Sequence, residues 1–262
     1  MKLVSEKFEI ESQEWVEKIA PKMKAELDRT GAAVLKGFIT DRALEDAVKE
    51  ARAKAPHAFV ATKKHNVYLL PEQSQALAQD HMRNKELDTV VASVACDELA
   101  KSGALHELYF GAEGDMIINL VSKITGKRLY RLADPLGACS INVFHPGMEH
   151  AWHFDESEYT ITLCLQTAEK GGEFMYSPPI RKSQDDLAAD KVEEIISTEQ
   201  NVSKLDFEPG TLAVFCGQRS LHCVKKNLGN TPRLVAVLCY ATSPNVYNTP
   251  SVQKQFWGRS VL

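Results

Sequence analysis

The sequence predicts an α+β domain: an antiparallel double sheet buttressed by N-terminal helices. Up to about residue 130, apolar residues recur mainly at helical spacing. From about Ala138 they fall into short runs, alternating or continuous, punctuated by Gly, Pro and Asn. No internal repeat, low-complexity tract or block of like charge divides the 262 residues. They are therefore read as one domain over 1–262, with mainly helical support over 1–130, the sheet core over 131–245 and a C-terminal tail over 246–262.

The first helix is expected at 11–29, where Trp15, Ile19, Met23 and Leu27 recur every four positions and Pro21 kinks the run or marks a second start. Glycines bound the apolar run from Gly31 to Phe38, which fits a buried strand. Asp41 caps a helix running to about Ala55 with Leu44, Ala47 and Val48 on its inner face. Further helices are expected at 87–102 and 112–125, the second ended by Gly126. Strands follow at 138–144, 158–167, 172–176, 204–207, 211–216, 220–225 and 233–241. Pro146-Gly147, Gly171-Gly172, Pro209-Gly210 and Leu228-Gly229-Asn230 supply turns between them. Leu187, Val192 and Ile195, at helical spacing in a polar stretch, predict a surface helix inserted at 183–200.

Charge and cysteine usage narrow the class. The 31 basic and 35 acidic residues leave a net charge of −4, too little positive charge to hold a nucleic-acid backbone. The six cysteines, at 96, 139, 164, 216, 223 and 239, contain no Cys-x-x-Cys pair and read as reduced core thiols. Met1 to Lys7 lacks the apolar segment of a secretory signal, and no run approaches the ~18 apolar residues of a membrane span. The expectation is a cytoplasmic protein with a small-molecule substrate and no nucleic-acid or membrane partner; its oligomeric state is left open.

Ala151-Trp-His-Phe-Asp155 carries the chemistry. His153 and Asp155 are two apart, so in an extended segment both side chains point the same way and can reach one ion. Alone, such a pair is equally an ordinary polar turn. His222, in Ser220-Leu-His-Cys-Val224, supplies a third ligand from a different strand. Two imidazoles and one carboxylate, with positions left open, describe the facial triad of non-haem Fe(II) oxygenases. Arg233, 11 residues on, heads the apolar strand Leu234 to Tyr240 and needs an anionic partner, either a surface Glu or the far carboxylate of a metal-chelating co-substrate.

With these pieces the chain resembles the Fe(II)- and 2-oxoglutarate-dependent oxygenases. The resemblance runs over about 138–241, through Trp152-His153-Phe154-Asp155, Gly171-Gly172-Glu173-Phe174, Pro209-Gly210-Thr211-Leu212, Ser220-Leu221-His222-Cys223-Val224 and Pro232-Arg233. The strand Gly31 to Phe38 is similar to the opening strand of that superfamily. The run His153 to Gln166 followed by Gly-Gly-Glu-Phe174 is most similar to the branch of hydroxylases and radical halogenases acting on free amino acids such as lysine. The resemblance implies a double-stranded β-helix of the jelly-roll or cupin-like kind. It implies Fe(II) on His153, Asp155 and His222, 2-oxoglutarate as co-substrate paired with Arg233, O2 as oxidant, and succinate and CO2 as products. The halogenases of that branch carry Gly or Ala where the carboxylate ligand stands, so Asp155 implies hydroxylation or a related oxidation such as desaturation.

Some positions stay open. Many relatives place a hydroxyl two residues after the arginine, where this chain has Val235, so Thr162 or Thr160 is a candidate helper for the co-substrate, or a plain strand residue. Asn142 either meets the co-substrate's metal-binding carboxylate or satisfies a neighbouring backbone group. His150 and Glu156 flank the triad and could meet the carboxylate and ammonium of an amino acid, or are surface groups. Trp152 could line the cavity, Phe256 and Trp257 could fold over its mouth or dock on the core, and the 183–200 helix is a lid or a solvated surface element. His57, His65, His81, His106 and His145 are read as surface or core histidines. Two other classes remain: a cupin-like metal enzyme that does not use 2-oxoglutarate, and a non-catalytic binding module.

Overall fold

The computed structural model describes residues 2–69 and 84–261. The first helix, α1 (Gln13–Thr30), starts where the Ser12 hydroxyl accepts from the Trp15 backbone N–H and ends at Gly31, whose φ of 90° suits glycine. A Cβ on Gly31 would collide with Ser220 Oγ, so the turn into the sheet also needs the missing side chain. The buried line is Val16, Ala20, Met23 and Leu27. Trp15 and Ile19 are only half covered, because steps of four drift off a face that repeats every 3.6 residues. Pro21 does not break α1; it lies on the solvent side, where water can meet the carbonyl it leaves unbonded.

The strands form two antiparallel sheets. The larger uses β1 (Ala32–Leu35), β2 (Phe59–His65), β3 (Leu87–Val94), β5 (Cys139–Phe144), β7 (Thr160–Gln166), β10 (Leu212–Phe215) and β12 (Arg233–Leu238), in the order β1-β10-β7-β12-β5-β3-β2. The smaller uses β6 (His150–His153), β8 (Phe174–Tyr176), β9 (Ser203–Lys204) and β11 (His222–Val224), in the order β6-β11-β8-β9. A third pairing joins β4 (Tyr130–Arg131) to β13 (Tyr240–Ala241). One face of the large sheet, with Ile141, Leu163, Val214, Leu234 and Ala236, packs with α1, α2 (Asp41–Lys54), α3 (Ala104–Phe110) and α4 (Ala112–Thr125) into the main core. The other face meets the small sheet through two lesser clusters. Ala32, Ala213 and Phe215 meet Tyr176, and Ala61, Val91 and Phe144 meet Val224.

The helix expected at 87–102 is instead β3 followed by a single 3₁₀ turn at 96–98. Thr89, Val90, Val91 and Val94 favour the pleated surface, and β3 is laddered on both sides, to β2 and to β5. The inserted helix is shorter than expected, α5 (Ala189–Thr198). Before it, residues 181–188 are held by Arg181, which donates from Nε to the Asp186 carbonyl at 2.7 Å and from Nη2 to the Gln184 carbonyl. The tail forms α6 (Pro250–Trp257). Among the described residues no helix is long and apolar enough to cross a membrane.

Candidate metal centre

β6 and β11 pair with His153 directly opposite His222, so hydrogen bonding between two short strands unites residues far apart in the chain. Asp155 follows β6 by two residues and donates its backbone N–H to the Gly217 carbonyl at 3.0 Å. Its Oδ1 lies 3.5 Å from His153 Nε2 and 3.4 Å from His222 Nε2, and one donor atom from each of the three lies within 4.8 Å of the others. Among the described residues this is the one such His/Cys/Asp/Glu cluster.

The tautomers suit a cation. His153 Nδ1–H donates to the Ala151 carbonyl at 2.8 Å and His222 Nδ1–H to the Ser220 carbonyl at 2.9 Å, which leaves both Nε2 lone pairs aimed at the gap beside Oδ1. Burial, then the neighbouring His222, lowers the His153 pKa to about 4, so its ring is neutral at physiological pH. Burial works to raise the Asp155 pKa, but His222 and His153 outweigh it and hold the carboxyl well below 3.8. A neutral His153 nitrogen and an ionised Asp155 carboxylate are protonation states that suit a divalent ion. Phe215 stands edge-on to His222 at 4.7 Å and Phe174 stacks on it at 5.4 Å, closing that side to water.

Arg233 lies at the start of β12, opposite Phe144, and is 5 % exposed. Leu234, Ala236 and Leu238 turn to the helical core, so Arg233 and Val235 face the space between the sheets. Its guanidinium carbon lies 5.3 Å from the Phe144 ring and 5.9 Å from Phe207. Among the described residues no carboxylate or other acceptor pairs with it, and burial lowers its pKa to about 10. A desolvated cation with no protein partner is a seat for an anion.

The remaining expected site residues separate. Thr162 pairs in register with Ala213 and Val237, and its hydroxyl is unbonded among the described residues. Thr160, the other candidate, donates to Asp155 Oδ2 at 2.5 Å and so is engaged by the carboxylate of the cluster. The side-chain oxygen of Asn142 accepts from Ser93 Oγ at 3.3 Å. The His150 ring stacks on His153 with centroids 3.7 Å apart, and burial with His153, His65 and His222 keeps its pKa well below 6.5. Glu156 is exposed beside Asp155. Trp152 does not line the metal face: alternation along β6 sends it to the opposite side, into a satellite cluster with Val67, Phe154, Val192 and Ile195. Phe154 stacks on Tyr68 there, with the Arg181 guanidinium 4.4 Å over its ring. The same cluster docks α5 through Val192 and Ile195.

β2 adds residues that the sequence reading left aside. His65 approaches His150 at 5.9 Å and His153 at 6.1 Å, donates Nδ1–H to the Asn66 carbonyl at 3.0 Å and accepts the Thr89 hydroxyl on Nε2 at 2.7 Å. Lys63 shares its face of β2 and sits 3.6 Å over Phe256 of α6. Trp257, next along, packs toward Gly137. Burial lowers the Lys63 pKa to about 8 against the opposing field of Glu156, and among the described residues no carboxylate reaches ion-pair distance. The period-two run Ala61, Lys63, His65 was the available signal. Of the other histidines, His145 Nε2 donates to the Ala55 carbonyl at 3.2 Å and His106 lies against Phe110, both away from the triad, while His81 lies outside the described residues.

No curated protein matches the chain. Among solved structures, the epimerase SnoN, in complex with Fe3+, alpha ketoglutarate and nogalamycin RO, is similar at a TM-score of 0.58 and 15% identity, over 86% of this chain and 84% of that one. HygX from Streptomyces hygroscopicus, with nickel, 2-oxoglutarate and hygromycin B bound, gives 0.56 and 13% over 90% and 95%. A 2OG-Fe(II) oxygenase family oxidoreductase from Burkholderia pseudomallei gives 0.51 and 16% over 87% and 92%. At these identities the likeness establishes the fold, that of the 2OG-Fe(II) oxygenases. The family model described as Halogenase D matches residues 16–256, which takes in both sheets, the triad and Arg233, and the chain belongs to that family.

Proposed function

We propose that this protein is an Fe(II)- and 2-oxoglutarate-dependent dioxygenase that hydroxylates an unactivated C–H bond of a free amino acid, lysine or a relative, on a double-stranded β-helix. The observation that carries the reading is the buried Arg233, without an ion-pair partner among the described residues, which faces the same intersheet space as the His153, Asp155 and His222 triad. One cation and one metal seat in a single interior match a dicarboxylate that chelates the ion at one end and ion-pairs at the other. SnoN and HygX, which share the fold, hold a metal and this co-substrate together.

When bound, the metal and 2-oxoglutarate convert R–H and O2 to R–OH, succinate and CO2. The residues supply the rest. His153, His222 and Asp155 hold the ion, Arg233 orients the co-substrate by its far carboxylate, and Phe174 and Phe215 keep water from the His222 side. Lys63 and Glu156, of opposite sign and electrostatically coupled without pairing, offer partners for the carboxylate and ammonium of a zwitterion. The neutral His150 ring against His153 can hydrogen-bond the same substrate. Membership of a halogenase family does not make this chain a halogenase in our reading, because Asp155 fills the position a halide needs on the metal.

The test is anaerobic reconstitution with Fe(II), then 2-oxoglutarate, O2, chloride and a panel of free amino acids, followed by mass spectrometry. Succinate with an amino acid heavier by one oxygen is expected. A chlorinated product would refute the argument from Asp155, and succinate with no oxidised amino acid would refute the substrate class.

A further inference from the structure

Asp155 is held by Thr160, which the sequence offered only as a co-substrate helper, and by Gly217, which no motif singled out. Its Oδ1 faces the two Nε2 atoms at 3.5 and 3.4 Å, while its Oδ2 accepts the Thr160 hydroxyl at 2.5 Å. Gly217 crowds the same oxygen: a Cβ added there would overlap Oδ2 and stand 2.7 Å from both Cβ and Cγ of Asp155. The backbone of Gly217 is not in the left-handed region, so its conformation is open to any residue and only the space selects glycine. That backbone is fixed in turn. The Gly217 carbonyl accepts from Asp155 N at 3.0 Å, Cys216 N–H donates to the Gly31 carbonyl at 2.8 Å, and Gln218 Nε2 donates to the Glu156 carbonyl at 3.1 Å. Thr160 is opposite Phe215 in the β7–β10 ladder, so one strand pair sets both walls.

We propose that Thr160 and Gly217 form a cradle that restricts Asp155 to binding the metal through one oxygen. The inference rests on the metal-site reading given above. The reason is one of coordination number. Two imidazoles and one carboxylate oxygen take three of about six positions on an octahedral ion, leaving two for a chelating co-substrate and one for oxygen. A carboxylate binding through both oxygens would take the position that oxygen needs. The Thr160 hydrogen bond holds negative charge on Oδ2 and fixes the carboxylate plane, and Gly217 lets the backbone approach closely enough to stop the group rotating. Thr160 and Gly217 are therefore positioning residues, and this explains why Thr160 is not the co-substrate's helper.

The probe is Co(II), titrated into the metal-free full-length chain and followed by its visible d–d absorption, which reports coordination number without turnover. Outer-shell partners of this kind are worth roughly 10- to 100-fold in metal affinity. T160V, of nearly the same shape, is expected to lose about tenfold and to change the band pattern, with T160S restoring both; G217A is expected to lose about 100-fold. T160A serves if T160V does not fold. Wild-type affinity and spectrum in T160V and G217A would overturn the cradle. A wild-type chain that takes up no Co(II) would instead overturn the metal reading beneath it, so the two failures are distinguishable.

Discussion

A guanidinium only 5 % exposed and without an acceptor among the described residues destabilises the protein that carries it, and Arg233 sits so between Phe144 and Phe207. Replacing it by Met should therefore leave the metal-free chain as stable as before or more so. The same change should weaken 2-oxoglutarate by about 100-fold, the worth of a charge-assisted pair of roughly 3 kcal/mol. Thermal unfolding and the co-substrate dependence of succinate release measure the two effects; an unchanged dependence in R233M would mean that 2-oxoglutarate does not pair with Arg233, and turnover of the wild-type chain without 2-oxoglutarate would favour a metal enzyme that does not use it. Lys63 gives a pH signature. With its pKa lowered to about 8, the folded chain sheds this proton between about 8 and 10.5 while the unfolded chain keeps it, so burial of the ammonium opposes folding most below 8. A carboxylate partner binds only the charged form. The KM of the accepted amino acid should therefore rise as pH climbs through 8, and K63M should start high and flatten that rise; a wild-type KM level from pH 7 to 9 would remove Lys63 from the substrate site.

Short elements place these groups, and they were unevenly legible. The His153, Asp155 and His222 cluster could be read from the chain because facial metal triads are built from particular residue types, and extended backbone from β6 into the two residues after it gives His153 and Asp155 a shared side. The segment 87–102 misled because Val90, Val91, Val94 and Ala95 also fit a helical stripe; what decides is pairing with β2 and β5, which lies outside any local window. With β2 unrecognised, Lys63 and His65 had no route to the site. Gly217 was hidden for the same reason, since it acts on a residue distant in sequence, while Thr160 was singled out but for the co-substrate and not for Asp155. Trp152 shows how a motif position can be structural: its ring belongs to the cluster that docks α5, with Phe154 and Val192. Truncation to Ala should destabilise the fold by about 3 kcal/mol through the cavity it leaves, yet keep Co(II) affinity within a few-fold. Chemical denaturation and the Co(II) titration separate the two, and a collapse of metal affinity with little loss of stability would return Trp152 to the site.

Across the whole molecule, the seam between the sheets gathers four imidazoles in sequence of contact, His65 to His150 at 5.9 Å, His150 to His153 at 3.7 Å and His153 to His222 at 4.1 Å. No disulfide supports the seam, because all six cysteines are free, and the burial that lifts the Cys164 thiol to about 11 and the Cys223 thiol to about 12 keeps them protonated. Burying the His150 and His153 rings has a thermodynamic consequence. Burial brings His153 to about 4 and His150 well below 6.5, whereas both titrate near 6.5 in the unfolded chain. Between 6.5 and 4 the unfolded chain therefore binds more protons than the folded one, so stability is complete above that window and is lost as pH falls through it. The loss should be on the order of 1 kcal/mol per pH unit for each histidine, while the Asp155 contribution, with its pKa depressed, disappears only below about 3.8. Saturating Co(II) binds the native chain and should raise the whole curve, by about 2.7 kcal/mol at 100-fold excess over Kd. Urea unfolding of the metal-free and Co(II)-loaded chain at pH 7, 6 and 5 tests this. Equal stability of the metal-free chain at all three values would mean that the native histidines protonate as freely as unfolded ones, and that the seam is wet and open where the structure has it closed.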